Sequence, residues 1–164
     1  MARKIQLILN ESEITAGTRG ASLGPNAVKI AAWKKQSSFF AQFDSQLLVA
    51  NNEALLNKAP KYPFAKRIEG LIEVFGELDK HISHTFSNND FPLVIAGDHG
   101  SAGGTIAAIK KNFPNKKLGV VWIDAHGDLH TPYTTPSGNM HGMPLATALA
   151  VDNLDSQINE PNPD

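Results

Sequence analysis

The chain has no cysteine among its 164 residues, which removes disulfides, thiolate metal sites and a cysteine nucleophile together. It has no excess charge of either sign: 15 Lys and Arg stand against 16 Asp and Glu, spread along the sequence, so there is no basic footprint for nucleic acid and no polybasic arm for a membrane surface. It also lacks a long apolar run. The first, Ile5 to Leu9, is too brief for a signal-peptide core or a membrane span, so a cytoplasmic protein acting on a small molecule is expected. Internal repeats and low-complexity tracts are missing too. What remains fits one globular domain long enough to bury a core.

The apolar pattern alternates between short runs and helical stripes. Ile5 to Leu9 predicts a buried strand ended by Asn10. Gly17, Gly20, Gly24 and Pro25 punctuate a loop, and Ala27 to Trp33 has helical composition with Pro25 at its entrance. The stretch from Asp44 to Ala50 reads as a weaker strand, and 51–63 as a loop. From Phe64 to Phe86, Ile68, Leu71, Ile72, Phe75, Leu78 and Ile82 recur three and four apart, the stripe of an amphipathic helix. Phe91 to Ala96 predicts a strand, Ser101 to Lys111 a helix, Leu118 to Ile123 a further strand, and Met143 to Val151 a helix. This alternation argues for an α/β fold with a mostly parallel sheet and helices on its faces, joined by right-handed crossovers.

Polar residues of one chemical kind gather at the predicted strand ends. Asp124-Ala125-His126-Gly127-Asp128 directly follows Leu118 to Ile123, so two carboxylates and an imidazole emerge where open α/β folds bind ligands. That donor set suits Mn²⁺, Fe²⁺ or Zn²⁺. An isolated pentad of this kind also occurs by chance in loops, but desolvated carboxylates at an apolar strand end are tolerated mainly when paired or bound to a cation. Gly97-Asp98-His99-Gly100 closes the preceding strand, and His99 there is a candidate fourth ligand. Equally, this segment reads as a strand-to-helix turn or an anion-cradling loop, although it lacks the Lys and spacing of a P-loop. Ser137-Gly138-Asn139-Met140-His141-Gly142 lies in a Pro-flanked loop. Four of the six histidines, His99, His126, His130 and His141, fall in this region, while His81 and His84 belong to the polar face of the long helix.

Taken in order and spacing, Gly97-Asp98-His99, Asp124 to Asp128 and Thr131 to Gly142 resemble the arginase branch of the ureohydrolase family. Gly17 to Pro25 is similar to the Gly-rich N-terminal loop of arginases. The agmatinase branch resembles the chain at the metal motifs but usually lacks the Thr-rich Ser-Gly-Asn loop. The resemblance implies a three-layer α/β/α fold and assembly as a trimer or hexamer. It also implies hydrolysis of L-arginine to L-ornithine and urea by a hydroxide bound to two Mn²⁺ ions. It makes His99 and Asp128 ligands of one ion, Asp124 a bridge between both, and His126 a ligand of the second. Ser137 and Asn139 would hydrogen-bond the substrate α-carboxylate, and His130, standing where arginases often have Asn, would share that task. Asp128 would also aim the hydroxide, and His141 would shuttle protons.

Those roles suit the chemistry. A guanidinium is resonance-stabilised and cationic, so unaided water is a poor nucleophile toward its carbon, whereas metal coordination lowers a water pKa to about 7 in favourable cases. An imidazole passes protons near neutral pH.

Departures from the family pattern set further expectations. Arginases complete the cluster with a later Asp-x-Asp pair and a further Glu, and no such segment occurs up to Asp164; Asp152 and Asp155 are wrongly spaced to replace them. The chain therefore reads as an N-terminal portion, with residues 1–151 forming the arginase-like part and 152–164 a polar tail or truncation point. Apolar strand edges should be exposed, and affinity for at least one ion should fall. Gly100 replaces a common Ser and Gly127 a common Ala or Thr, changes expected to loosen the backbone beside the ligands. Two alternatives stay open: a ureohydrolase for agmatine or another guanidino or formimidoyl compound, and a catalytically incomplete metal-binding fragment.

Overall fold

The computed structural model describes residues 3–48, 50 and 52–160, so Val49 of the second predicted strand, Asn51 and the final four residues of the polar tail lie outside the description. Strands β1 (Ile5–Asn10), β2 (Ser45–Leu48) and β3 (Phe91–Ala96) form a parallel sheet in the order β2-β1-β3. As the central strand, β1 must be covered on both faces, and its sequence is apolar without alternation for that reason. Leu7, Ile8 and Leu9 are 1%, 0% and 1% exposed.

The helices are α1 (Gly24–Lys34), α2 (Asn52–Leu56), α3 (Ile68–Ser87), α4 (Ser101–Asn112) and α5 (Pro144–Leu149). Ile8, Ile14, Leu48, Val74, Leu78, Ile82 and Ala108 form the main core, where α3 and α4 meet the sheet. A smaller cluster of Leu71, Met140 and Met143 joins α3 to the loop before α5. Among the described residues, no helix is long and apolar enough to cross a membrane.

Three predicted elements differ from the structure. The long helix begins at Ile68 instead of Phe64: Arg67 is left-handed at φ 60°, and the Lys66 N–H donates to Gly138 O, so this backbone serves a loop and not a helical turn. Within the stripe, Ile72 is 62% exposed and Val74 takes the buried position. The loop predicted over 51–63 contains the short α2, whose Asn52 accepts from the Glu13 N–H and donates to Glu11 O.

The third difference is the largest. Leu118 to Ile123 pairs with none of the described strands, and Val121 and Ile123 are 88% and 93% exposed. An apolar run records what a segment can bury, but a strand also requires a neighbour to accept its N–H and C=O groups. Residues 99 and 124–128 are therefore not brought together as tips of two adjacent strands.

The sheet nevertheless places the site. Asn10 and Ala96 are register partners at the carboxyl edge, so the loops that follow β1 and β3 leave side by side. Thr15 on the first meets Asp98 on the second, and Ser101 then opens α4.

Candidate metal and substrate site

The site is assembled on a short turn whose first residue is held rigidly. Asp98 is 1% exposed, and its carboxylate accepts the Thr15 N–H at 2.6 Å, the Thr15 hydroxyl, and the Gly100 N–H at 3.1 Å. A buried carboxylate with three donors stays satisfied where an unpaired one would be costly. The neighbouring residue, His99, is thereby aimed toward the loop at 122–128.

His99 Nε2 lies 3.1 Å from Asp128 Oδ2 and 3.5 Å from Asp124 Oδ2. One ligand atom from each of these three residues falls within 4.8 Å of the others. Asp128 sits at φ 50°, a left-handed conformation that Asp adopts more readily than most residues, and its carbonyl accepts the N–H groups of Leu145 and Ala146 at 3.1 and 3.2 Å. The first turn of α5 thus fixes the backbone that delivers this carboxylate. Asp124 is more open, and its second oxygen faces His126: Oδ1 accepts the His126 N–H at 2.8 Å and lies 3.4 Å from His126 Nδ1. That backbone N–H holds the Asp124 carboxyl below the usual carboxylate range; partial burial opposes it, and the neighbouring His99 charge adds to it.

Asp124 therefore stands between two imidazoles, one per oxygen. His126, the other expected ligand, lies outside this group of three, with its side chain 84% exposed. An imidazole and two carboxylates converging on one point match the donor preferences of Mn²⁺, Fe²⁺ and related divalent ions, so the residues present fit a cation of that kind.

Beside this cluster lies a cavity of about 710 Å³ whose walls include His126, Asp128, His130, Ser137, Asn139 and His141. The loop carrying the polar wall is stapled at several points. Lys66 N–H donates to Gly138 O at 2.9 Å, and Ser137 Oγ accepts the Asn139 N–H at 3.2 Å. His130 N–H donates to Gly142 O, and its Nδ1 is 3.3 Å from Thr134 Oγ1. His141 Nδ1 donates to Thr15 O at 2.8 Å. Gly138, at φ 74°, packs against the Pro63 and Phe64 backbone where a Cβ would collide, so the Ser-Gly-Asn turn closes only with glycine at its centre.

Residues 152–160, polar as read from the sequence, are attached to this loop. Thr131 Oγ1 donates to Asp152 O, and Asn159 Nδ2 donates to Pro132 O and Thr135 O. Asn153 and Ser156 from the same stretch line the cavity.

Sequence reasoning missed several members. Trp122, read as part of a buried strand, donates its indole N–H to Asp128 Oδ2 at 3.2 Å, with its ring 5.3 Å from His99 and inclined at 62°. The available signal was the N–H itself, which needs an acceptor once the ring is covered. The pairing of Asp98 with Thr15 has no signal in the sequence, because a hydrogen bond across 83 residues leaves no local pattern. Gly100 has a different reason from backbone freedom: its φ is −55°, but a Cβ there would lie 3.1 Å from Thr15 Cβ and closer still to its hydroxyl.

Comparison with known proteins shows what the chain is similar to. A model of the arginase family matches residues 4–158. The arginase of Staphylococcus aureus strain MSSA476 is 38% identical over 131 residues, covering 77% of this chain and 42% of that protein. The arginase of Bacillus subtilis strain 168 is 34% identical over 153 residues, covering 92% of this chain and 50% of that one. In structure, a crystal form of the B. subtilis arginase superposes with a TM-score of 0.73 at 31% identity, covering 94% of this chain and 52% of that one. Entamoeba histolytica arginase, crystallised with L-ornithine, gives 0.75 at 28% identity over 94% of this chain and 52% of its own. The chain spans about half the length of the relatives it matches.

Proposed function

This chain belongs to the arginase family, and from that premise we propose that its site serves metal-dependent hydrolysis of the guanidinium group of L-arginine, giving L-ornithine and urea, with Mn²⁺ as the ion. The observation that carries the reading is the convergence of His99, Asp124 and Asp128 beside a cavity with Ser137, Asn139 and His141 on its walls.

In this reading His99 and Asp128 would hold one ion and His126 the second, with Asp124 available to either. Divalent cations, when bound there, would supply an acidified water and a positive charge beside the guanidinium carbon. The remaining work belongs to the chain. The cavity receives the substrate with its guanidinium toward Asp128 and its α-carboxylate toward Ser137, Asn139 and His130, whose N–H and O–H groups donate to carboxylate oxygens. Asp128 accepts a hydrogen bond from the attacking water and directs it at the guanidinium carbon. His141 gives a proton from Nε2 to the departing amine, since Nδ1 is engaged with Thr15.

Urea release from L-arginine by the full gene product supplied with Mn²⁺ tests the proposal, and its absence would end it. Agmatine lacks the α-carboxylate, so Ser137→Ala and Asn139→Ala should impair arginine turnover more than agmatine turnover. Equal impairment would point to a different guanidino substrate.

A further inference from the structure

Three segments meet at one threonine. Thr15 is 2% exposed and uses each of its polar groups: its N–H and hydroxyl donate to Asp98, and its carbonyl accepts from His141 Nδ1 at 2.8 Å, across 126 residues of sequence. Asp98 directly precedes His99, so the turn that aims the metal-site imidazole and the loop that carries the cavity imidazole are tied to the same residue. Gly100 makes this possible. Any side chain there would enter the space Thr15 occupies, with a Cβ 3.1 Å from Thr15 Cβ and 3.3 Å from its Cγ2.

The bond to His141 also selects its chemistry. A carbonyl oxygen only accepts, so the hydrogen of the neutral ring must sit on Nδ1, leaving Nε2 as the nitrogen that exchanges a proton. Free histidine side chains in water favour the opposite tautomer. Without the Thr15 carbonyl in place, the proton-exchanging nitrogen would change identity and direction.

We propose that Thr15 is the positioning residue that fixes the tautomer and aim of His141, anchored by Asp98 and admitted by Gly100. The proposal rests on the reading of His141 as the proton carrier. It assigns Thr15 no contact with substrate; its effect passes through the imidazole. The alternative is a loop staple with no bearing on His141, and the two differ in what happens to the ring when only the anchoring hydroxyl is removed.

The test is a long-range ¹H–¹⁵N imidazole spectrum of the metal-free full gene product, with the His141 signals assigned by their loss in His141→Gln. The expected result is an Nδ1–H tautomer in the wild type, the same tautomer in Thr15→Ser, and a shift toward Nε2–H in Thr15→Val, which deletes the hydroxyl that holds the loop to Asp98. An Nε2–H tautomer in the wild type overturns the proposal, as does a Thr15→Val spectrum identical to the wild type. If Thr15→Val does not fold, the wild-type and Thr15→Ser spectra decide on the same criterion. In the full gene product, Thr15→Val should lower kcat for arginine roughly 10- to 100-fold with KM nearly unchanged, and Thr15→Ser should restore it. Failure of the wild type to release urea would count against the proposed reaction while leaving the tautomer result standing, so the two ideas fail separately.

Discussion

Trp122 donates its indole N–H to Asp128 across 3.2 Å, so the loop bearing three of the candidate metal ligands is closed by a bond between its own two ends. The acceptor is the same Oδ2 atom that faces His99 Nε2. One carboxylate oxygen is thus oriented by an indole on one side and presented to an imidazole on the other. Partners of this kind tune a metal ligand without touching the ion.

Replacing Trp122 with Phe keeps a ring near His99 and deletes only the donor. Affinity for Mn²⁺ should fall about 10-fold, as is usual when such a supporting partner is lost. Calorimetric titration of both proteins measures it, and equal affinities would show that the indole exerts no hold on Asp128.

The packing of α3 against α4 yields a stability prediction. A Cβ on Gly104 would lie 2.7 Å from Phe75 Cγ and 3.0 Å from its Cε1, inside a close helix contact, so Gly104→Ala should cost about 1–3 kcal/mol of overpacking. Gly76, on the exposed side of α3, has nothing within 4 Å, and Gly76→Ala should stabilise by about 0.5–1 kcal/mol through backbone entropy. Urea unfolding of the two variants should give shifts of opposite sign; shifts of the same sign would refute the packing account.

Glu13 supplies a pH dependence. Burial pushes its carboxyl up, but hydrogen bonds from Ser22 and Gly20 and the charge of Arg19 outweigh that and hold it below the ordinary value of 4.5. A group whose folded pKa is depressed stabilises the fold fully above its unfolded value, near 4.3, and loses that contribution as pH falls through the folded value. Wild type should therefore exceed Glu13→Gln in stability at pH 6, and the gap should close on acidification below about pH 4. A gap that is constant from pH 6 to pH 3 contradicts this.

The exposed run at 118–123 gives a prediction about association. Val121 and Ile123 are 88% and 93% exposed in an apolar segment that pairs with none of the described strands, the kind of run that recruits other chains. Val121→Lys with Ile123→Lys should suppress light scattering at high protein concentration and leave the unfolding midpoint nearly unchanged, since neither side chain is buried. Unaltered scattering would clear this segment of the role.

Much of this architecture is legible in the sequence because burial writes itself into spacing. Residues Leu7 to Leu9 are apolar without alternation because β1 is covered on both faces, and Leu71, Leu78 and Ile82 recur at helical intervals because one face of α3 is buried along its length. The order of Asp98-His99, Asp124 to Asp128 and Ser137 to His141 already groups the candidate site. What the sequence does not carry is partnership. The run Leu118 to Ile123 is as apolar as β3, and nothing in its composition says that no described strand accepts it. Likewise, Trp122 reads as core until its N–H is seen on Asp128, and Thr15 reads as loop until its three bonds are seen together. Long-range pairing of polar groups leaves no periodic trace.

His99, Asp124 and Asp128 are placed to grip a divalent cation. Anomalous diffraction at the manganese edge from crystals soaked in Mn²⁺ tests that assignment most directly. A peak should lie within bonding distance of His99 Nε2 and both carboxylates and be lost in His99→Ala. A wild-type map with no peak among these three side chains, or a peak that persists unchanged in His99→Ala, would contradict it.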